Sequence, residues 1–426
     1  MRTICFRCLK VITLIAALLV ILDAAWHLLY VHRNWDEDRI YGFFQEPENS
    51  LDVAFVGASD ISRGYSAGVG FQEYGITSYS FTINGDAVYA WESQVDEVMQ
   101  HQNPDKIVIE VNGALYSSSD EDEYQMYRSA VDRMVIHLPF LSGERLQLIW
   151  RYMRNTGNYA SALRLFLPLY EYHSNQPVSF RGAAATILGN VFRDTDNDGV
   201  TTLRGYECIS GKASIGELEP GFEDSDAKAE LDPLYEKELR RFLEHCRSQY
   251  PDQEILFIRM PHLVEKGDER LLQMYERSNR IGEILEEYGY QYINFEKLRS
   301  EIGIDDSTDF YDASHLNVQG MYKFTRYFSE YLLQNGVSAS TVWGENGMQL
   351  PTAEQEEDSA LTDYGQVSSS LSEEQLRQWV HTAKMTEYLT RYCEELTAEG
   401  VNGQELSESY DLFAALYERY ETGENK

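Results

Sequence analysis

The sequence predicts a three-layer α/β/α domain built on a five-stranded parallel sheet. Short apolar runs alternate with segments of helical periodicity, and Gly57, Pro104 and Pro261 punctuate that alternation. LDVAFVG (Leu51 to Gly57) reads as a buried strand followed at once by a loop. SYSFTI is a second strand, and Ala87 to Gln102 has helical composition until Pro104 stops it. KIVIEVN (Lys106 to Asn112) is a third strand, and a long helical region follows it. EILFIRM (Glu254 to Met260) is a fourth, ended by Pro261, with a helix from about Asp268 to Tyr288 behind it. QYINF makes a fifth strand, and NVQGMYKFTRYFSEYLL a last amphipathic helix. This order is that of a flavodoxin-like fold. In such sheets the reactive groups lie beyond the carboxyl ends of the strands, so functional residues are expected after strands one, two, three and five.

At 426 residues the chain exceeds most single domains, and one large domain with appendages, or two domains, is expected. An apolar content of 43% is ample for a core. Seventy acids against 36 basic residues give a net charge of −34, which excludes a nucleic-acid partner, because phosphate binding needs Lys/Arg patches. Such a surface is soluble and does not lie flat on anionic lipid.

Membrane attachment is expected instead from the N-terminus. Arg2, Arg7 and Lys10 precede an apolar run from Val11 to Val31, and Asp36, Glu37 and Asp38 follow it. At 1.5 Å per residue the run spans about 30 Å, one bilayer crossing. The positive-inside rule leaves residues 1–10 in the cytoplasm and exports the main domain. A cleaved signal peptide is the rival reading, but no A-x-A signal follows Leu22. Cys5 and Cys8 fall on the cytoplasmic side, so their spacing is no redox motif of the exported part. Cys208, Cys246 and Cys393 leave room for one disulfide and no framework.

Two motifs carry chemistry. G-A-S-D (Gly57 to Asp60) places Ser59 at the carboxyl end of the first strand. D-A-S-H-L-N-V-Q-G places Asp312 and His315 three residues apart, before the last helix. A histidine titrates near neutrality and can act as general base, and a carboxylate can orient it. Each motif alone is compatible with an ordinary loop or surface turn; the pair, at two ends of one sheet domain, is not easily dismissed as coincidence.

Those residues, with FFQEPENSLDVAFVGASD, YSFTINGDAVYAW and KIVIEVN, resemble the SGNH (GDSL-like) hydrolases, and specifically their membrane-anchored branch in Gram-positive bacteria. The resemblance covers about residues 40–333, and D-x-x-H-L-N-x-x-G is its most specific part. It implies Ser59 as nucleophile, His315 as base and later acid, and Asp312 as the orienting carboxylate. It also implies an oxyanion hole from the Ser59 N–H, a donor after strand two (Gly85, or its neighbour Asn84) and the Asn112 side chain. The chain departs from the family where G-A-S-D replaces G-D-S and where Gly113 stands in place of an Asp after Asn112.

Other signals point elsewhere more weakly. D-T-D-N-D-G (Asp194 to Gly199) opens like a calcium loop, but Gly205 stands where the bidentate Glu belongs, so no metal and no cofactor are expected. His262, after Met260 and Pro261, is either a pocket residue or a structural histidine, the second being the simpler assignment. The chain has 30 Tyr and six Trp, which can stack on sugars but at helical spacing usually form core. The expected organisation is a cytoplasmic segment 1–10, a transmembrane anchor 11–31, and an α/β domain 40–334. A helical cap at about 120–232 interrupts that domain; a linker 335–370 and an acidic helical tail 371–426, able to dock an envelope-biosynthesis partner, follow it. The expected activity is that of a serine esterase or O-acyltransferase acting through a seryl ester on an acylated envelope polysaccharide. The alternative is a non-catalytic glycan-binding or assembly protein that has kept the fold.

Overall fold

The structure, a computed structural model, describes residues 39–119 (41 and 45 apart), 142–157, 203–207 and 212–339, with scattered residues elsewhere. Most of the apolar run 11–31, the calcium-like stretch 194–199, most of the linker beyond 339, the tail 371–426, Cys5, Cys8, Cys208 and Cys393 lie outside the described residues. Among the described residues, no helix is long and apolar enough to cross a membrane. Cys246 is a free thiol and buried.

The chain divides into two compact units, one of residues 1–37 with 131–197 and one of 38–130 with 198–426. The second unit holds a five-stranded sheet in the order β2-β1-β3-β4-β5. Its strands are β1 (Val53–Gly57), β2 (Ser78–Thr82), β3 (Lys106–Glu110), β4 (Ile255–Arg259) and β5 (Gln291–Asn294). Every pairing is parallel. This is the flavodoxin-like winding, and the fold is a three-layer α/β/α sandwich.

The first four strands are buried along their whole length, because helices cover both faces and the alternation of a half-exposed sheet disappears. Edge strand β5 is largely exposed or half-buried, and it carries the polar QYIN sequence. Reciprocal hydrogen bonds set the entry into β1: Thr77 N–H donates to Asp52 Oδ2 (2.8 Å), and Asp52 N–H donates to Thr77 Oγ1 (2.9 Å).

Helices α1 (Ala67–Tyr74) and α2 (Val88–His101) flank β2, and α3 (Gly143–Thr156) belongs to the other unit. After these come α4 (Pro233–Gln249), α5 (Glu269–Glu287) and α6 (Val318–Gln334). Alternate residues of each strand serve opposite layers. Val53, Phe55, Val108, Leu256 and Ile258 pack in one core with Phe324, Phe328 and Leu332 of α6. Phe257 points the other way, toward Phe242 of α4, whose ring also meets Trp91 of α2 with centroids 5.7 Å apart. The α1–α6 layer is tied by Tyr65 Oη to Ser329 Oγ (2.9 Å) and by Ser66 N–H donating to Thr325 Oγ1 (2.9 Å).

Helix starts follow local chemistry. Asp232 caps α4 ahead of Pro233, and Asp268 caps α5 by accepting from Leu271 N–H. Within the stretch expected as a cap, residues 203–207 and 212–232 belong to the sheet-bearing unit: Glu207 N–H donates to Ser62 O (2.7 Å), and Leu218 bridges Glu265. In the other unit, α3 buries Leu148, Ile149 and Tyr152, and Arg145 donates to the carbonyls of Leu138 and Leu165.

Candidate active site

Ser59 opens a short helical turn (Ser59–Ser62) directly after β1. Gly57 makes that exit possible. Its φ is +140°, and a Cβ there would come within 2.9 Å of the Glu110 side chain on the neighbouring strand. The strand therefore ends against β3, and Ser59 is set at the carboxyl end of the sheet, partly exposed.

The second motif is a self-organised loop. Asp312 Oδ1 accepts from the backbone N–H groups of Ser314 (2.8 Å) and His315 (2.9 Å), closing an Asx-type turn. Leu263 N–H, just beyond β4, donates to Ala313 O (2.7 Å) and pins the loop to the sheet. Leu316 is buried, and Asn317 caps α6 by accepting from Gln319 and Gly320 N–H. Gly320 is required because a Cβ would collide with the Asp309 carbonyl. Each fixed position of D-x-x-H-L-N-x-x-G thus has a physical task.

The two motifs meet. Ser59 Oγ lies 2.9 Å from His315 Nε2, across 256 residues of sequence. His315 Nδ1 faces both Asp312 oxygens at 2.9 Å. Burial opposes the charge on Asp312, but the hydrogen bond and charge of His315 outweigh it and hold the carboxyl below its ordinary value. With Asp312 ionised and accepting at Nδ1–H, Nε2 is left as the acceptor for the serine hydroxyl. Arg63, one turn on from Ser59, is held by two bonds to Glu207 (3.0 and 3.1 Å).

The proposed oxyanion donors lie at the same sheet end, following strands that adjoin β1. Gly85, with φ +63°, sits in the turn after β2, where Asp86 N–H donates to Ile83 O. Asn112 follows β3 and is nearly buried. Its amide is already engaged: Nδ2 donates to Asp60 Oδ2 (3.1 Å), and Oδ1 accepts from Arg259 Nη1 (2.6 Å).

That engagement belongs to a buried network that the sequence reading missed. Asp60 Oδ1 meets His262 Nε2 at 2.7 Å. His262 Nδ1 faces Met260 O (2.7 Å) and Glu296 Oε1 (3.1 Å), and Glu296 Oε2 accepts from Arg299 (2.7 Å). Burial and Arg259 oppose the charge on His262, yet its bonds to Asp60 and Glu296 push it up to about 9. Burial likewise opposes the Asp60 charge, and the His262 bond with the positive charges of His262, His315 and Arg259 holds that carboxyl well below the usual range. Burial, with the Asp60 charge, pushes Glu110 up to about 8. His262 is therefore a structural ion-pair partner rather than a pocket residue. A signal was present in the sequence: the apolar strands β3 and β4 end in Glu110 and Arg259, and His262 and Glu296 follow β4 and β5. Among the described residues, no cluster of His, Cys, Asp and Glu could hold a metal ion.

No protein-family model matches this chain, and no curated protein matches it either. A solved structure, BT4096, a gut microbial diltiazem-metabolizing enzyme, is similar at a TM-score of 0.30 and 9% sequence identity. The match covers 68% of this chain and 47% of that one, so the chain spans about half the length of the neighbour. At that distance the site rests on its own geometry.

Proposed function

We propose that the protein is a membrane-anchored, extracytoplasmic serine hydrolase or acyltransferase of the SGNH type. The observation that supports this most is the line Ser59–His315–Asp312, with both links at 2.9 Å. His315 Nε2 takes the hydroxyl proton as Ser59 Oγ attacks an ester carbonyl, and Asp312 stabilises the imidazolium that forms. The tetrahedral oxyanion is met by the Ser59 N–H, the Gly85 N–H and the Asn112 side chain. His315 then gives its proton to the departing alcohol, leaving a seryl ester. Water or a sugar hydroxyl, deprotonated by His315, attacks that ester; the acyl group leaves with the new acceptor, and Ser59 recovers its proton. No metal or cofactor is needed.

The substrate class, an O-acylated envelope polysaccharide, follows from the family resemblance and from the export that the N-terminal sequence implies. Labelling with a fluorophosphonate tests the nucleophile directly. The wild-type protein takes up the probe and Ser59→Ala does not; equal labelling of both removes Ser59 from the mechanism.

A further inference from the structure

We infer that Asp60 and His262 are positioning residues that aim the Asn112 amide at the developing oxyanion. The inference rests on the acyl-transfer reading of Ser59 and adds a specific task for the buried network behind it.

Ser59 and Asp60 are neighbours in the chain, yet they engage different histidines. The two histidines face different kinds of partner. His315 Nε2 faces a hydroxyl, which can both give and accept a proton. His262 faces only acceptors: a carboxylate at Nε2, and a carbonyl oxygen with a second carboxylate at Nδ1. A neutral imidazole carries one N–H, so satisfying both sides requires the imidazolium. His262 cannot then serve as a base. It is a fixed cation, nearly excluded from solvent.

That fixed cation has two consequences. Asp60 is ionised immediately beside the nucleophile, and a bare negative charge there would oppose the negative charge that develops during attack. His262 cancels it at 2.7 Å. The second consequence is geometric. With Oδ1 of Asp60 taken by His262, Oδ2 is fixed as the acceptor for one hydrogen of Asn112 Nδ2. Arg259 holds the other end of the same amide through Oδ1. An amide with a cation at its oxygen and a carboxylate at its nitrogen cannot flip, and its plane is set. The remaining Nδ2 hydrogen is thereby fixed in direction before substrate arrives, as electrostatic preorganisation requires. Glu110 supports the same residue from the backbone side, accepting from Asn112 N–H at 2.9 Å.

The test uses the full-length protein, p-nitrophenyl acetate turnover and a double-mutant cycle between Asp60→Asn and Asn112→Ala. Asn112→Ala is expected to lose about 10²–10³ in kcat, the usual cost of one oxyanion donor. Asp60→Asn is expected to lose a similar factor in kcat with KM unchanged, and the double variant no more than either alone. His262→Gln, which can still donate to Asp60 but carries no charge, is expected to fall between wild type and Asp60→Asn. It replaces Asp60→Asn in the cycle with Asn112→Ala if that variant fails to fold by circular dichroism. Multiplying losses in the double variant, or a kcat within twofold of wild type for the Asp60 or His262 variant, overturns the positioning role while wild-type turnover leaves the Ser59 reading intact. Wild-type protein with no turnover that depends on Ser59 overturns both.

Discussion

Ser59 and Asp60 stand side by side at the end of β1, and each engages its own histidine: Ser59 Oγ meets His315 Nε2 at 2.9 Å, and Asp60 Oδ1 meets His262 Nε2 at 2.7 Å. In the proposed mechanism one histidine moves a proton and the other holds one. The site is built on that division, and its consequences differ from residue to residue.

Asp312 does two tasks through the same oxygen, accepting from its own loop's backbone and from the His315 ring. Asp312→Asn presents an amide that favours the wrong tautomer of His315. Turnover of a p-nitrophenyl ester is expected to fall by about four orders of magnitude, as for triads generally. Thermal stability changes little by comparison, because the Asn side-chain oxygen can still accept from Ser314 and His315 N–H. Steady-state kinetics beside a melting curve separates the two effects, and a variant with near-normal kcat would contradict the role given to Asp312.

Asn317 is legible in the sequence only as part of a motif, but it acts as a cap. Its oxygen serves two N–H groups of α6, and its Nδ2 donates to Thr308 O at 2.6 Å. Asn317→Ala is expected to cost about 1–2 kcal/mol from the lost cap, with a further contribution from the unsatisfied Thr308 carbonyl. Urea denaturation measures this. Because Asn317 is two residues from His315, activity is expected to fall along with stability.

The network also makes stability depend on pH. Folding raises His262 from 6.5 to about 9 and Glu110 from 4.5 to about 8, so the folded protein binds both protons more tightly than the unfolded chain. The stability each contributes is complete below its unfolded value and is lost as pH rises through its folded value. For His262 the loss is on the order of 3 kcal/mol, at about 1.4 kcal/mol per pK unit. Melting temperature is therefore expected to fall between pH 7 and pH 9.5, and to fall less steeply in His262→Gln. A wild-type melting temperature that is flat over this range would contradict the protonated assignment of His262.

The sheet was the most legible part of the chain. LDVAFVG, KIVIEVN and EILFIRM are dense in β-branched and apolar residues, and β1, β3 and β4 lie within two residues of those stretches. The boundaries differ where a polar group takes over: β3 stops at Glu110, and Val111 to Ala114 turns into a short 3₁₀ segment as Glu110 accepts from Asn112 N–H. In the site, Ser59 and the D-x-x-H pair announced themselves because their residue types and strand-end positions fit a known chemistry. The Asp60–His262–Glu296 chain did not, since its members are far apart in sequence and each alone looks like an ordinary strand-end polar residue. Only the winding of the sheet brings those ends together.

Topology has its own test. The basic flank of Arg2, Arg7 and Lys10 before the apolar run 11–31 predicts a retained anchor with residues from about 40 onward outside the cell. Protease added to intact cells from which the wall has been removed is expected to digest the α/β domain. Protection of that domain would overturn both the export and the envelope substrate.

The most direct measurement is ester turnover by wild type, Ser59→Ala, His315→Ala and the double variant, each checked for folding by circular dichroism. Serine and histidine in a seryl-ester mechanism act as one unit, so each single variant is expected to lose nearly as much as the double. Wild type is expected to turn over p-nitrophenyl acetate, and all three variants to fall to the same low level. A Ser59→Ala rate equal to that of wild type would contradict the account at its centre.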